Sequence, residues 1–191
     1  MRAERTPIQD RLITISGPSA LIRRFGSKMA AASLDKPILD VACGSGRNAL
    51  FLWSLGCSVI CMDRDLSGLQ AQLSRGVGGD SLTASKRLIL HQIDLKKDPW
   101  PFKQRSVGGI INIHFTLPSL FPFFGSSLVQ GGYLLIETVP GCGGNYLELP
   151  RKGELKAAFE NSFAFEVYKE RPVGPSDRNA VTVKLLARRR E

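Results

Sequence analysis

The chain has 191 residues, 43% hydrophobic and 23% charged, which suits one globular domain with a short extension. Its apolar runs stay short of the roughly 20 residues needed to cross a bilayer, and Arg2, Glu4, Arg5, Asp10 and Arg11 interrupt any signal-peptide core. A cytoplasmic location without a membrane partner is therefore expected. The net charge of +9 and a pI of about 9.7 permit steering of anionic partners. The basic residues are dispersed, however. The dense run Arg188-Arg189-Arg190 reads as a solvated tail, so no specific nucleic-acid partner is expected.

Residues 1–16 read as a loosely ordered start. Ser16-Gly17-Pro18 opens a helix to about Ser33, with Ala20, Leu21, Phe25 and Met29 as its apolar stripe. It packs beside the sheet as a helical extension over residues 1–36, ahead of a core over 37–191. Ile38 to Val41 is an apolar strand, Ala42 to Gly46 a tight glycine turn, and Leu50, Phe51, Leu52 and Leu55 continue at helical spacing. Gly44 and Gly46 let backbone approach a ligand closely, and the helix start aims free N–H groups at the same place. A glycine loop after a strand is common to many nucleotide binders. Two features narrow it. Asp40 at the strand end favours a ligand with a cationic end over a pyrophosphate. The third glycine of the dinucleotide fingerprint is replaced by Ala49, which disfavours a nicotinamide dehydrogenase.

Gly56 ends the helix, and Cys57 to Met62 forms a buried strand ending at Asp63. A carboxylate there is placed to accept two ribose hydroxyls; the plainer alternative is a cap for the helix Leu66 to Leu73. Gly76 to Asp80 is a loop. Arg87 to Ile93 is a strand followed by Asp94-Leu95, with His91 structural within it. Pro99 to Phe102 turns the chain. Val107 to Ile113 is the next strand, with His114-Phe115 at its end; a helix covers Pro118 to Val129, and Gly131-Gly132 leads into the strand Tyr133 to Val139. Pro140 to Leu149 is a loop carrying Asn145 and Tyr146. A helix spans Lys152 to Glu160, and Phe163 to Lys169 with Ala180 to Ala187 form an edge hairpin whose loop holds Arg178.

The four cysteines, Cys43, Cys57, Cys61 and Cys142, form no C-x-x-C pair and the two histidines stand apart, so no metal is expected. Cys57 and Cys61 read as small buried hydrophobes.

The segment Ile38 to Leu50 resembles motif I of the class I S-adenosylmethionine-dependent methyltransferases: a hydrophobic pair, Asp, then x-x-C-G-x-G. Cys43 to Leu52 resembles the small tellurite-resistance-type branch in particular, and the likeness extends over most of residues 38–187. Ala42 stands where many relatives carry glycine, and Arg64 where they carry a small or apolar residue. The resemblance implies a Rossmann-like α/β sandwich with a seven-stranded, mainly parallel sheet and an antiparallel edge strand. It implies S-adenosylmethionine as cofactor, held by Asp40, Ala42, Cys43, Gly44, Gly46, Asn48, Asp63, Arg64, Asp94, Leu95 and Ile113. Asp94 would accept from the adenine amine, with Leu95 beside the ring. A small-molecule acceptor would meet Phe115, Asn145, Tyr146 and Arg178, and the chain would act as a monomer or weak homodimer. His114 is the candidate catalytic base for a phenol or amine; its alternative is a packed, satisfied histidine under Phe115.

RNA methylation stays open as an alternative, since it would suit the charge. Against it, Asn112-Ile113-His114-Phe115 replaces the Asn/Asp-Pro-Pro-aromatic tetrapeptide of base-amine methylators, and no Pro-Cys pair is present for pyrimidine attack. A non-catalytic cofactor-binding module is the other alternative.

Overall fold

A computed structural model of the chain describes residues 17–75, 88–139, 149–174 and 179–190. Helix α1 (Ala20–Ala32) starts on Ser19, whose hydroxyl accepts from the Ile22 N–H at 3.2 Å. Strand β1 (Ile38–Val41) follows, then α2 (Arg47–Ser54), β2 (Val59–Asp63), α3 (Ser67–Ser74), β3 (Leu88–Gln92) and β4 (Val107–Ile113). A 3-10 turn over Pro118–Leu120 runs into α4 (Phe121–Ser127), then β5 (Leu128–Glu137), α5 (Glu154–Phe159), β6 (Phe163–Pro172) and β7 (Val181–Arg189).

The strands form one sheet in the order β3-β2-β1-β4-β5-β7-β6. Pairing is parallel from β3 through β5. β7 runs against both neighbours, so the reversed strand lies one place inside the edge and β6 closes it. Each inner strand is buried on both faces, which is why β1 and β4 are almost wholly apolar. Alternation sends Ile38, Val59, Cys61, Ile111, Leu135 and Leu186 to one face, against Ile22, Met29, Leu52 and Leu69 of α1, α2 and α3. Leu39, Val41, Met62, Ile110, Leu134, Ile136 and Leu185 face the other way, where Phe121, Phe124, Phe159 and Phe163 meet in tilted and edge-to-face pairs. α1 is fastened to the far strands by Lys28, which bonds Glu166 of β6 at 2.5 Å while Glu166 also accepts from the Tyr133 hydroxyl at 2.7 Å.

Several boundaries differ from the sequence expectation. The helix expected through Val129 stops at Ser127, because Leu128 pairs with Val107 and begins β5. Glycine and two serines weaken that last helical turn. The C-terminal hairpin is longer than its alternation suggested, and Arg188 and Arg189 belong to β7 rather than to a solvated tail. Arg188 Nε donates to the Gly131 carbonyl at 3.2 Å, and the Arg189 guanidinium lies over Phe163. Arg87, the loop Gly76 to Asp80 and residues 1–16 lie outside the described residues.

Gly108 shows where close approach decides the residue. A side chain there would overlap the backbone of Ser33, at the end of α1. A side chain at Gly125 would meet the flexible Arg189 guanidinium and, at ordinary contact distance, the Phe163 ring. Gly108→Ala is therefore expected to lower unfolding stability by about 2–3 kcal/mol, whereas Gly125→Ala should be neutral or mildly stabilising. Urea unfolding of the two variants beside the parent checks the contrast.

Candidate functional site

The crevice lies where the chain leaves neighbouring strands in opposite directions. β1 continues toward β2 on one side and β4 toward β5 on the other, and open α/β sheets take their ligands at the strand ends above such a switch point. A cavity of ≈ 310 Å³ opens there. Its lining crosses the sheet from β3 to β5: Ile93, Asp94, Leu95 and Lys96 beyond β3, Asp63 and Arg64 at β2, Ala42 at β1, His114, Phe115 and Thr116 at β4, Thr138 and Val139 at β5, with Leu149.

The loop from β1 to α2 is held in an unusual shape. Ala42 (φ 58), Gly44 (φ 53) and Gly46 (φ 77) all lie in the left-handed region. Glycine enters that region freely and alanine at a cost, so Ala42 carries strain. Two carboxylates hold the loop. Asp63 Oδ2 accepts from the Gly44 N–H at 2.8 Å, and Asp40 Oδ2 accepts from the Ala49 N–H in the first turn of α2 at 3.1 Å. Gln72 of α3 donates to the Ser45 carbonyl from below. Above Gly44 the space where a side chain would stand is open. Backbone and ligand can meet there.

Asp40 is 1% exposed. Burial pushes its carboxyl up to about 7; the Ala49 N–H opposes that push, nearby Asp63 adds to it, and Arg47 opposes it. Asp63 Oδ1 also accepts from the Asp65 N–H at 3.1 Å, and Asp65 in turn accepts from the Ser67 N–H at 2.9 Å at the start of α3. The capping role weighed for Asp63 thus falls to Asp65. The Asp63 carboxylate lines the cavity instead. Asp94 closes the turn after β3, accepting from the Lys96 N–H at 3.0 Å, and lies 3.5 Å from Lys97.

The expected residues separate into three groups. Ala42, Asp63, Arg64, Asp94, Leu95, His114 and Phe115 line the crevice together. Gly44 and Gly46 form its loop, while Asp40, Cys43, Asn48 and Ile113 are buried behind it. Asn48 Oδ1 accepts from the Ser19 N–H at 2.9 Å, so its side chain docks the start of α1 onto α2. Asn145, Tyr146 and Arg178 lie outside the described residues. Ile93, Lys96, Thr116, Thr138, Val139 and Leu149 were not anticipated. Thr138 and Val139 were within reach of the strand-end rule, because they follow the last residue of β5. Among the described residues no group of His, Cys, Asp and Glu could hold a metal ion, and no helix is long and apolar enough to cross a membrane.

His114 has φ 64, a left-handed conformation uncommon for a histidine, and its N–H donates to the Glu137 carbonyl at 2.8 Å. Burial and then Arg47 hold the imidazole below its ordinary pKa, with Glu137 opposing. The ring is therefore neutral at pH 7 and able to accept a proton.

Solved structures carry the same architecture. TehB from Haemophilus influenzae superposes with a TM-score of 0.62 at 20% identity, covering 90% of this chain and 64% of its own. The chain has the class I methyltransferase fold. It thus spans a little under two thirds of that TehB. A geranyl diphosphate methyltransferase bound to geranyl diphosphate and sinefungin gives a TM-score of 0.63 at 12% identity, over 89% of this chain and 78% of that one. The tRNA (m1A58) methyltransferase TrmI from Aquifex aeolicus gives 0.58 at 13%, over 88% and 68%. No family model matches the sequence, and no curated protein does. The likeness is one of fold, and proteins so named act on different acceptors.

Asp40 yields a pH signature. Its folded-state pKa lies above the ordinary carboxylate value, so the folded form holds the proton more tightly and stability falls as pH rises between those two values. Between pH 4 and 7 the parent should lose about 2–4 kcal/mol that Asp40→Asn does not. Denaturant unfolding of both proteins across that range measures the difference; parallel curves would show that Asp40 is ionised in the fold.

Proposed function

We propose that the protein transfers a methyl group from S-adenosylmethionine to a small-molecule acceptor. The observation that carries this reading is the acid-bearing crevice over an open glycine loop at the switch point. Asp94 and Leu95 at β3 suit an adenine edge and face, with Arg64 along its border. Asp63 at β2 suits the two ribose hydroxyls, and the open space over Gly44 suits the amino-acid tail beside the start of α2. The loop fits a ligand with a cationic end, and Asp63 beside it favours that charge over a second phosphate. When bound, the cofactor supplies a methyl already activated by its sulfonium.

The protein's own work is then chiefly positional. It aligns the acceptor at near-attack distance and keeps water out, and effective molarity alone supplies much of the rate. Phe115, Thr116, Thr138 and Val139 form the wall on the acceptor side. His114 is the group able to take a proton there. A small acceptor accords with the modest cavity and with the dispersed basic charge. In this reading the chain acts as a monomer or weak homodimer, in the cytoplasm, without a nucleic-acid or membrane partner.

Transfer of labelled methyl from S-adenosylmethionine to thiols, carboxylates, phenols and amines, run beside bulk transfer and ribosomal RNA, tests the proposal. Label in a small acceptor is the expected result. Label in RNA alone, at near-physiological salt, would move the reading to RNA methylation. Cofactor binding without transfer to any acceptor would leave a binding module.

Asp63→Ala is expected to weaken S-adenosylhomocysteine by roughly 1.5–3 kcal/mol, the worth of hydrogen bonds to a charged group. Asp63→Asn, which keeps an acceptor for the Gly44 N–H, separates loss of the ribose contacts from collapse of the loop. Calorimetric titration of both variants gives the comparison. Unchanged affinity in a folded Asp63→Ala protein would remove the residue from the site.

A further inference from the structure

A buried ionisable side chain lies beside the crevice. Glu137 ends β5 and is 6% exposed. Its Oε1 lies 2.8 Å from Lys184 Nζ, on the residue opposite it in β7. Its Oε2 is buried and has no hydrogen-bond partner among the described residues. Buried carboxylate oxygens seldom stand that way, and one that does calls for a reason, such as a donor that arrives during function.

Glu137 pairs with Ile113 across β4 and β5, so the following residue, His114, leaves the sheet directly beside it. The His114 N–H donates to the Glu137 carbonyl, and the left-handed turn at His114 places its ring at the crevice. Two charges act on that ring: Arg47 from the start of α2 and Glu137 from β5. Lys184 of β7 bears on it through Glu137. Asp40, behind the loop, faces α2.

We propose that Glu137 is a positioning residue for His114, its unpartnered oxygen receiving the ring N–H of the imidazolium that forms when His114 takes a proton from the methyl acceptor. This rests on the methyl-transfer reading and narrows its acceptor class. The acceptor carries an N–H or O–H at pH 7, as an amine or phenol does; a thiolate or carboxylate would have no proton to give. The acceptor keeps the electron pair of the broken N–H or O–H bond and uses it for the new bond to the methyl carbon, while the pair of the broken carbon–sulfur bond would stay on sulfur and leave the neutral thioether S-adenosylhomocysteine. The ring nitrogen's lone pair binds the proton, which returns to water after product leaves. A carboxylate that orients a histidine and stabilises its protonated form is the logic of hydrolase triads, reached here from two strand ends.

The test is the titration of His114 followed by NMR of ring-labelled histidine, in the parent, Glu137→Gln and Lys184→Gln proteins. Only His91 shares the signal, and His91→Gln assigns it. Removing the carboxylate charge should lower the His114 pKa by about one pH unit, and removing the lysine charge should raise it by a similar amount. With an accepted amine or phenol, Glu137→Gln should lower kcat about 10–100-fold with KM nearly unchanged. The acid limb of its rate profile should follow the ring pKa. If Glu137 is only a strut for β7, both variants lose stability while His114 titrates as in the parent, and the proposal is overturned. Should Glu137→Gln fail to fold, Lys184→Gln decides alone: no rise in the His114 pKa overturns it. If the parent methylates nothing, the methyl-transfer reading falls, and the ring pKa still reports whether Glu137 acts on His114.

Discussion

The buried carboxylate of Asp40 ties the end of β1 to the first turn of α2 through the Ala49 N–H, and the crevice depends on that tie. It sits where water cannot help to solvate it, so the hydrogen bond has to form for the chain to turn there. It anchors the first turn of α2, and the loop between carries Ala42, Gly44 and Gly46 in left-handed backbone. Asp63 then secures the outer side of the same loop from β2. One loop is thus clasped by carboxylates from two adjacent strands, with its open face turned to the cavity.

The sheet order gives that loop its neighbours. With β1 and β4 side by side, the strand ends spread into a trough from Asp94 to Thr138. Its β3–β2 half carries the carboxylates Asp94 and Asp63 together with Lys96 and Arg64. Its β4–β5 half carries His114 and the hydroxyls of Thr116 and Thr138. Thr138 is held there by β7, whose Val183 both donates to and accepts from it. The reversed strand therefore positions the β5 end of the trough, although it contributes no residue to the lining among the described residues.

Much of this was legible in the sequence because the signals were local. β1, β2, β4 and β5 are short apolar runs with polar or glycine punctuation, and the Asp-x-x-x-Gly-x-Gly spacing named both the turn and its carboxylate. The parts that were not legible depend on distant contacts. Leu128 and Val129 continue a helical pattern from Phe121 and Phe124, and only their pairing with the start of β4 makes them strand. Asn48 has the right place in the loop for a ligand contact, yet the docking of α1 turns it toward Ser19. Glu137 reads as an ordinary residue in a strand pattern. That one of its oxygens meets Lys184 follows from the register of β7, which sequence periodicity does not contain.

The account's central claim is that a nucleoside cofactor lies across the ends of β3, β2 and β1 against the glycine loop. Amide hydrogen exchange, followed by residue with and without saturating S-adenosylhomocysteine, tests it most directly. The account predicts slower exchange confined to the loop from Ala42 to Asn48 and to the chain just after Asp63 and Asp94. No change at these amides, or protection at the opposite ends of the strands around Gly56 and Gly108, would contradict it.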